Sequence, residues 1–185
     1  MELSELIKEC RDERLTAQKW LFDRFAVSFF LLCRRYLKTD EAAEDCMMGG
    51  FLRIFKSLSG FEYKNDGATV AWMKRIMVNE CLQVLRKKEP FFLVAEEAAN
   101  EVAITTSVLD QLSAEELFKL ITKLPIGYRT VFNLYAVEGF KHQEIAQELG
   151  ITEGTSKSQY NRARILLQQM LEAQNNHYHV HRKSK

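Results

Sequence analysis

The chain has 185 residues, of which 46% are apolar and 28% charged, so it can bury a real core and is neither a disordered tract nor a membrane span. Only 8 Gly and 2 Pro interrupt it, too little punctuation for a turn-rich β-sandwich or barrel. With 26 Lys and Arg against 25 Asp and Glu the net charge is +1, so nucleic-acid binding has to be sought in how charge is distributed.

An all-α fold is expected. In the first body, Leu21, Phe22, Phe25, Phe29, Leu32, Cys33 and Tyr36 recur at helical spacing, and the longest strongly apolar uncharged stretch, Phe25 to Cys33, is far short of the ~20 residues of a membrane-spanning helix. Acidic Glu2, Glu5 and Glu9 also spoil a secretory leader, so a cytoplasmic protein without stable membrane insertion is expected. Thr39 or Asp40 offers an N-cap for a second helix, whose apolar face is Ala43, Cys46, Met47, Phe51, Ile54, Phe55 and Leu58. A loop from Ser59 to Ala68 follows, and a third long helix from Thr69 buries Trp72, Met73, Ile76, Met77, Val84 and Leu85. Its basic end, Arg86 to Lys88, complements the helix dipole.

Between Lys88 and Lys119 there is no Lys or Arg, while seven acidic residues accumulate. The composition predicts an acidic linker over 89–112 between two helical bodies, 1–88 and 113–172, with a frayed polar tail over 173–185 that holds His177, His179 and His181. In the second body, helical patterns cover about 114–123, 128–137 and 141–149, with a longer one after Thr152. Glu144-Ile145-Ala146, then Leu149-Gly150-Ile151 and Thr152 as N-cap, form a helix-turn-helix pattern in which small Ala146 lets the helices approach. Cys10, Cys33, Cys46 and Cys81 are scattered without a Cys-x-x-Cys pair, so they are read as reduced and buried, with no metal set and no stapled fold. Only His142 lies within a folded body, and no nucleophile and base pair up, so neither catalysis, a cofactor nor a small-molecule substrate is expected.

The run Leu124-Pro125, Arg129, Val131-Phe132, Leu134, Glu138-Gly139, Glu144-Ile145-Ala146, Leu149-Gly150-Ile151, Gly154-Thr155, Lys157-Ser158 and Arg162-Ala163-Arg164 resembles region 4 of bacterial extracytoplasmic-function sigma factors. The first body resembles region 2 of that family through Ala43, Glu44-Asp45, Phe51, Arg53, Trp72, Arg75-Ile76, Asn79 and Leu82 to Arg86. The resemblance implies two helical domains, a region 2-like three-to-four-helix bundle and a region 4-like helix-turn-helix. It further implies a transcription initiation factor that binds core RNA polymerase and promoter DNA at the minus-ten and minus-thirty-five elements, and it allows an anti-sigma factor as a partner. In the family, the segment matching the linker threads a basic polymerase channel.

Three sets of site residues follow. On the helix after Thr152, Tyr160, Ala163 and Leu167 face the core and leave Thr155, Lys157, Ser158, Gln159, Asn161 and Arg162 toward the upstream element. Lys157 and Arg162 can neutralise phosphates, and Gln159 can offer a donor and an acceptor to adenine. Ser156 and Gln159 stand where the family often has a branched apolar residue and an Arg. Arg75, Asn79, Gln83 and Arg86 form one polar stripe on the third helix, with Lys64 and Asn65 in the loop before it, suited to the minus-ten element. Phe61 and Trp72 in the same region read as core first and base platforms second. On the second helix Asp45, Met48, Gly49 and Leu52 share the face that in the family meets the polymerase clamp helices, with Met48 and Gly49 replacing a Gln and an acidic residue. Two adjacent glycines in mid-helix cost about 2 kcal/mol relative to alanine, so a backbone approaches closely there or the helix is soft. The competing reading is a helix-turn-helix regulator that has lost polymerase binding.

Overall fold

The computed structural model describes residues 1–88 and 113–182, with side chains described to Ala173 in the last helix. The chain forms two compact units that divide near residue 90, and among the described residues there are helices and no strand. No described helix is long and apolar enough to cross a membrane. The expected acidic linker, 89–112, lies outside the described residues.

The first unit holds α1 (Leu3–Arg11), α2 (Leu15–Tyr36), α3 (Asp40–Ser57), a 3₁₀ turn (Leu58–Gly60) and α4 (Asp66–Lys88). Helix α1 was not expected from the sequence, although Leu3, Leu6, Ile7 and Cys10 repeat at three, one and three residues and are all buried. Glu13 ends the helix in the left-handed region at φ 58°. Burial pushes the Cys10 thiol up to about 11. Arg34 then staples the α2–α3 turn: its guanidinium donates to the carbonyls of Leu37 and Lys38 at 3.0 and 2.8 Å and pairs with Asp40 at 2.5 Å. Thr39 is the N-cap of α3, accepting from the Ala42 amide at 3.2 Å.

Helix α2 buries Leu21, Phe29, Leu32, Cys33 and Tyr36 as its periodicity predicts, and its rings gather on Phe51 of α3. The Phe22 and Phe29 centroids lie 4.8 and 5.5 Å from that of Phe51, in tilted contacts. Helix α4 starts three residues earlier than expected, at Asp66, because Asn65 Oδ1 caps it by accepting from the Ala68 amide at 2.8 Å. Its buried face is Met73, Met77, Val78, Cys81, Leu82 and Leu85, whereas Trp72, Ile76 and Val84 are half-buried.

The second unit holds α5 (Ala114–Ile121), α6 (Ile126–Phe132) with a π-helical turn (Asn133–Val137), α7 (His142–Leu149) and α8 (Glu153–Arg182). Ser113 and Glu116 form a capping box at the start of α5. The core is Leu120, Ile121, Leu124, Phe132, Ala163, Leu167 and Leu171, so the first and last helices of the unit close over α6. Arg129 on α6 is fully buried and donates to the Thr122 carbonyl at 3.0 Å. The polar run from Asn175, expected to fray, continues α8 to Arg182, since it contains no Gly or Pro to end a helix.

Candidate nucleic-acid and polymerase interfaces

The helix-turn-helix is built by α7, the turn Gly150 to Thr152, and the first turns of α8. Gly150 caps α7 in the left-handed region at φ 66°, and the Ile151 amide returns to the Ala146 carbonyl at 3.1 Å. Thr152 Oγ1 accepts from the Thr155 amide at 3.0 Å and starts α8. Ile145 and Leu149 of α7 and Ser156 of α8 are buried across the turn.

Along α8 the buried row is Ser156, Gln159, Ala163, Leu167 and Leu171, a spacing of three and then fours. Gln159 therefore does not face outward as the sequence reading has it. It is 4% exposed, its amide lies 3.4 Å from the position a Cβ would take on Gly127, and neither amide atom has a hydrogen-bond partner. The reason is register: Gln159 lies three residues after Ser156 and four before Ala163, on the core row. Of the remaining positions, Lys157 is exposed and Thr155, Ser158, Asn161 and Arg162 are half-exposed. Lys157 pairs with Glu153 one turn earlier at 2.7 Å, which lowers the Glu153 carboxyl pKa.

His142, first residue of α7, sits against this element from the other side. Its ring stacks on Tyr135 at 4.2 Å and 12°, and its Nδ1 shares a hydrogen bond with Ser156 Oγ at 2.9 Å. Burial, and then the charge of Lys157, lower its pKa, so the neutral ring is favoured.

On α4, Arg75 and Arg86 are exposed and Asn79 and Gln83 half-buried, so the four lie along one side of the helix. Gln83 Oε1 accepts from Arg53 of α3 at 3.4 Å, and Arg53 also pairs with Glu80 at 2.5 Å. Lys64 is exposed, but Asn65 is engaged in capping α4. Phe61 stacks on Trp72 with centroids 4.1 Å apart, both rings half-buried, and Arg11 donates to the Phe61 carbonyl at 2.7 Å. That pair is an internal support for the loop.

On α3, Asp45 is exposed, Met48 is 49% exposed and Leu52 is 59% exposed, so two apolar side chains stand in solvent beside a carboxylate. Gly49 is half-buried, and a Cβ there would meet only Glu80 Oε2 at 3.4 Å. Gly50 accounts for the second glycine. It is buried, and a Cβ there would lie 2.2 Å from Met77 Sδ of α4. The close approach that the paired glycines imply is thus internal at Gly50.

Two features were not read from the sequence. Trp20, Val27 and Leu31 of α2, spaced seven and four, are 55%, 73% and 48% exposed and form an outward apolar row, a signal the helical periodicity already contained. The second is a convergence of scattered cysteines: the sulfurs of Cys33, Cys46 and Cys81 lie within 4.8 Å of one another. Hydrogen bonds with Cys33 and then Cys81 lower the Cys46 thiol pKa, whereas the bond with Cys46 raises that of Cys33, and bonds with Cys33 and then Cys46 raise that of Cys81.

The Sigma-70 region 2 family model matches residues 21–90, and the Sigma-70, region 4 model matches residues 104–167. The chain is 30% identical over 151 residues to ECF RNA polymerase sigma factor SigM of Mycobacterium tuberculosis, covering 82% of this chain and 75% of the relative. It is 29% identical over 184 residues to ECF RNA polymerase sigma factor SigW of Bacillus subtilis, covering 92% and 97%. Among solved structures, the sigma factor RpoE in complex with the anti-sigma factor NepR from Bartonella quintana is similar with a TM-score of 0.51 and 22% identity, covering 83% of this chain and 96% of that one. CnrH in complex with the cytosolic domain of CnrY is similar with a TM-score of 0.50 and 21% identity, covering 91% and 96%. At these identities the two structures speak to the fold.

Proposed function

The chain belongs to the extracytoplasmic-function RNA polymerase sigma factors, and from that premise we propose how its residues divide the work of binding core polymerase and directing initiation at promoters. The unit of α1 to α4 (1–88) binds polymerase and the minus-ten element, and the unit of α5 to α8 (113–172) binds the minus-thirty-five element, with 89–112 as the connection. Polymerase is held through Asp45, Met48 and Leu52 on α3, with Gly49 leaving the surface between them low. Arg75, Asn79, Gln83 and Arg86 on α4, with Lys64, meet the minus-ten element, cations on phosphates and amides on base edges. Upstream contacts come from Thr155, Lys157, Ser158, Asn161 and Arg162. Gln159 supports that helix from inside.

The observation that carries this reading is the solvent exposure of Met48 and Leu52 beside Asp45, because an apolar pair left in water on a stable helix is what a partner surface can cover. It supports a sigma factor over a helix-turn-helix regulator without polymerase binding, in line with the similarity to SigM and SigW over both units. RpoE was crystallised with an anti-sigma factor, and we infer a partner of this type here as well. The factor acts where polymerase is, in the cytoplasm, and has no catalysis of its own.

The test is transcription in vitro with core polymerase on a promoter library. The expected result is transcription from a subset of promoters that share an upstream and a minus-ten element. A chain that binds duplex DNA but neither assembles with core polymerase nor supports a transcript would be the regulator instead.

A further inference from the structure

Cys33, Cys46 and Cys81 come from three different helices, α2, α3 and α4, and are 0%, 3% and 0% exposed. All three are free thiols. The sulfurs of Cys46 and Cys81 are 3.5 Å apart, and every pair in the trio lies within 4.8 Å. Three sulfurs around one ion at metal–sulfur bonds of about 2.3 Å stand about 4 Å from one another in a trigonal plane, so the trio needs little rearrangement to receive one. Its closeness has a cause in the sequence. Gly50, one turn after Cys46, lies against Met77, one turn before Cys81, so α3 and α4 approach where a side chain at residue 50 would hold them apart.

We propose that Cys33, Cys46 and Cys81 form a binding site for one soft closed-shell cation, monovalent copper, held by three sulfurs. Soft thiolate ligands select Cu(I), zinc and iron–sulfur clusters, and structural zinc almost always takes four ligands. Among the described residues three cysteines and no His, Asp or Glu converge here, and all three are buried away from bulk solvent. A disulfide would use two of the three sulfurs and leave the third without a part. Binding forms three copper–sulfur bonds, transfers the thiol protons displaced from those sulfurs to the buffer, and changes no oxidation state. Two of the three thiols give up their protons and the third binds as the neutral thiol, so the two negative charges are offset by the ion and by Arg35, whose charge acts on Cys33. Because the ligands tie α2, α3 and α4 together, occupancy stabilises the unit that carries the exposed Met48 and Leu52.

The experiment titrates the full-length reduced chain, without oxygen, with Cu(I) delivered from a bicinchoninate complex. One equivalent is expected to bind, with an X-ray absorption shell of three sulfurs and a raised Tm. Cys46→Ala and Cys81→Ala should each weaken binding at least tenfold, while Cys10→Ala, at a buried cysteine outside the trio, should leave it unchanged. The X-ray absorption readout needs no variant, so it stands even if a substitution prevents folding. A sulfur shell of two, a shell completed by nitrogen or oxygen, binding retained in Cys46→Ala, displacement of copper by equimolar Zn(II), or no uptake would each overturn the site.

Discussion

Gly50 of α3 lies against the thioether of Met77 on α4 so closely that a methyl group at residue 50 would come within 2.2 Å of Met77 Sδ and 2.9 Å of its terminal methyl. Met77 is fully buried, so it cannot swing into open space. Gly50→Ala should therefore lower the stability of the first unit by about 1–3 kcal/mol through overpacking, less the helix propensity gained. Gly49→Ala, where only the movable Glu80 carboxylate lies at 3.4 Å, should gain up to about 1 kcal/mol. Urea unfolding of the two variants checks this, and equal effects at the two glycines would contradict the packing asymmetry.

Gln159 is buried with an unpartnered amide, so it is a cost to the second unit and presents neither amide atom at the surface. Gln159→Met keeps the length and removes the unpaired polar atoms, whose burial costs about 1–3 kcal/mol. A higher Tm with unchanged promoter preference is expected. Lys157→Ala, in contrast, should weaken DNA binding evenly across sequences and reduce the slope of log affinity against log salt by about 0.9. Filter binding across a salt series and a promoter library measures both, and a changed promoter preference in Gln159→Met would restore the base-reading role.

Leu52→Glu places a charge among apolar side chains that a partner would bury, and an unpaired charge there costs several kcal/mol. Core polymerase should no longer be retained by this variant at micromolar concentration, while Asp45→Ala should weaken assembly severalfold. Circular dichroism should show both variants folded, since both positions are exposed. Undiminished co-elution of Leu52→Glu with polymerase would move the contact off α3.

Asn79 is half-buried between the exposed Arg75 and the half-buried Gln83 on α4. An unpaired base needs amide partners to offset its unstacking, so Asn79→Ala should leave closed-promoter binding intact and reduce strand separation by roughly tenfold, a loss of about 1.4 kcal/mol. Permanganate reactivity at thymines near the start site reads the opening directly, and normal reactivity would assign the role elsewhere.

His142 has a pKa lowered by burial and then by Lys157, with Glu153 acting in the opposite direction. Around it stand Tyr135 of the π-helical turn and Tyr160 and Ser156 of α8. The unfolded chain, in which a histidine titrates near pH 6.5, binds the proton more readily than the folded one. Stability of the second unit should accordingly be full above about pH 6.5 and fall as pH drops through that value toward the lower folded pKa. His142→Gln should flatten the dependence between pH 5 and 7 in thermal melts of the full chain. Steeper loss in the variant would reverse the sign.

Much of this protein was legible in one dimension because helices carry their burial as a period. The apolar repeats of α2 and α3, the Thr39 cap, and the Leu149-Gly150-Ile151 turn with its Thr152 cap all depend on neighbours within a few residues, and they stand in the structure where the sequence puts them. The surface row of Asp45, Met48 and Leu52 is also a matter of helical phase. Tertiary structure decided the rest. Gln159 turned inward because the core row of α8 is set by what α6 presents, with Gly127 opposite the amide, and residue type alone does not reveal that. Gly50 is explained by Met77, twenty-seven positions away in sequence, and Cys33, Cys46 and Cys81 meet although no two are closer than thirteen residues. Local hydrogen bonding and periodicity act over one or two turns of chain, whereas close packing joins side chains from separate helices, and that juxtaposition exists only once the bundle has formed.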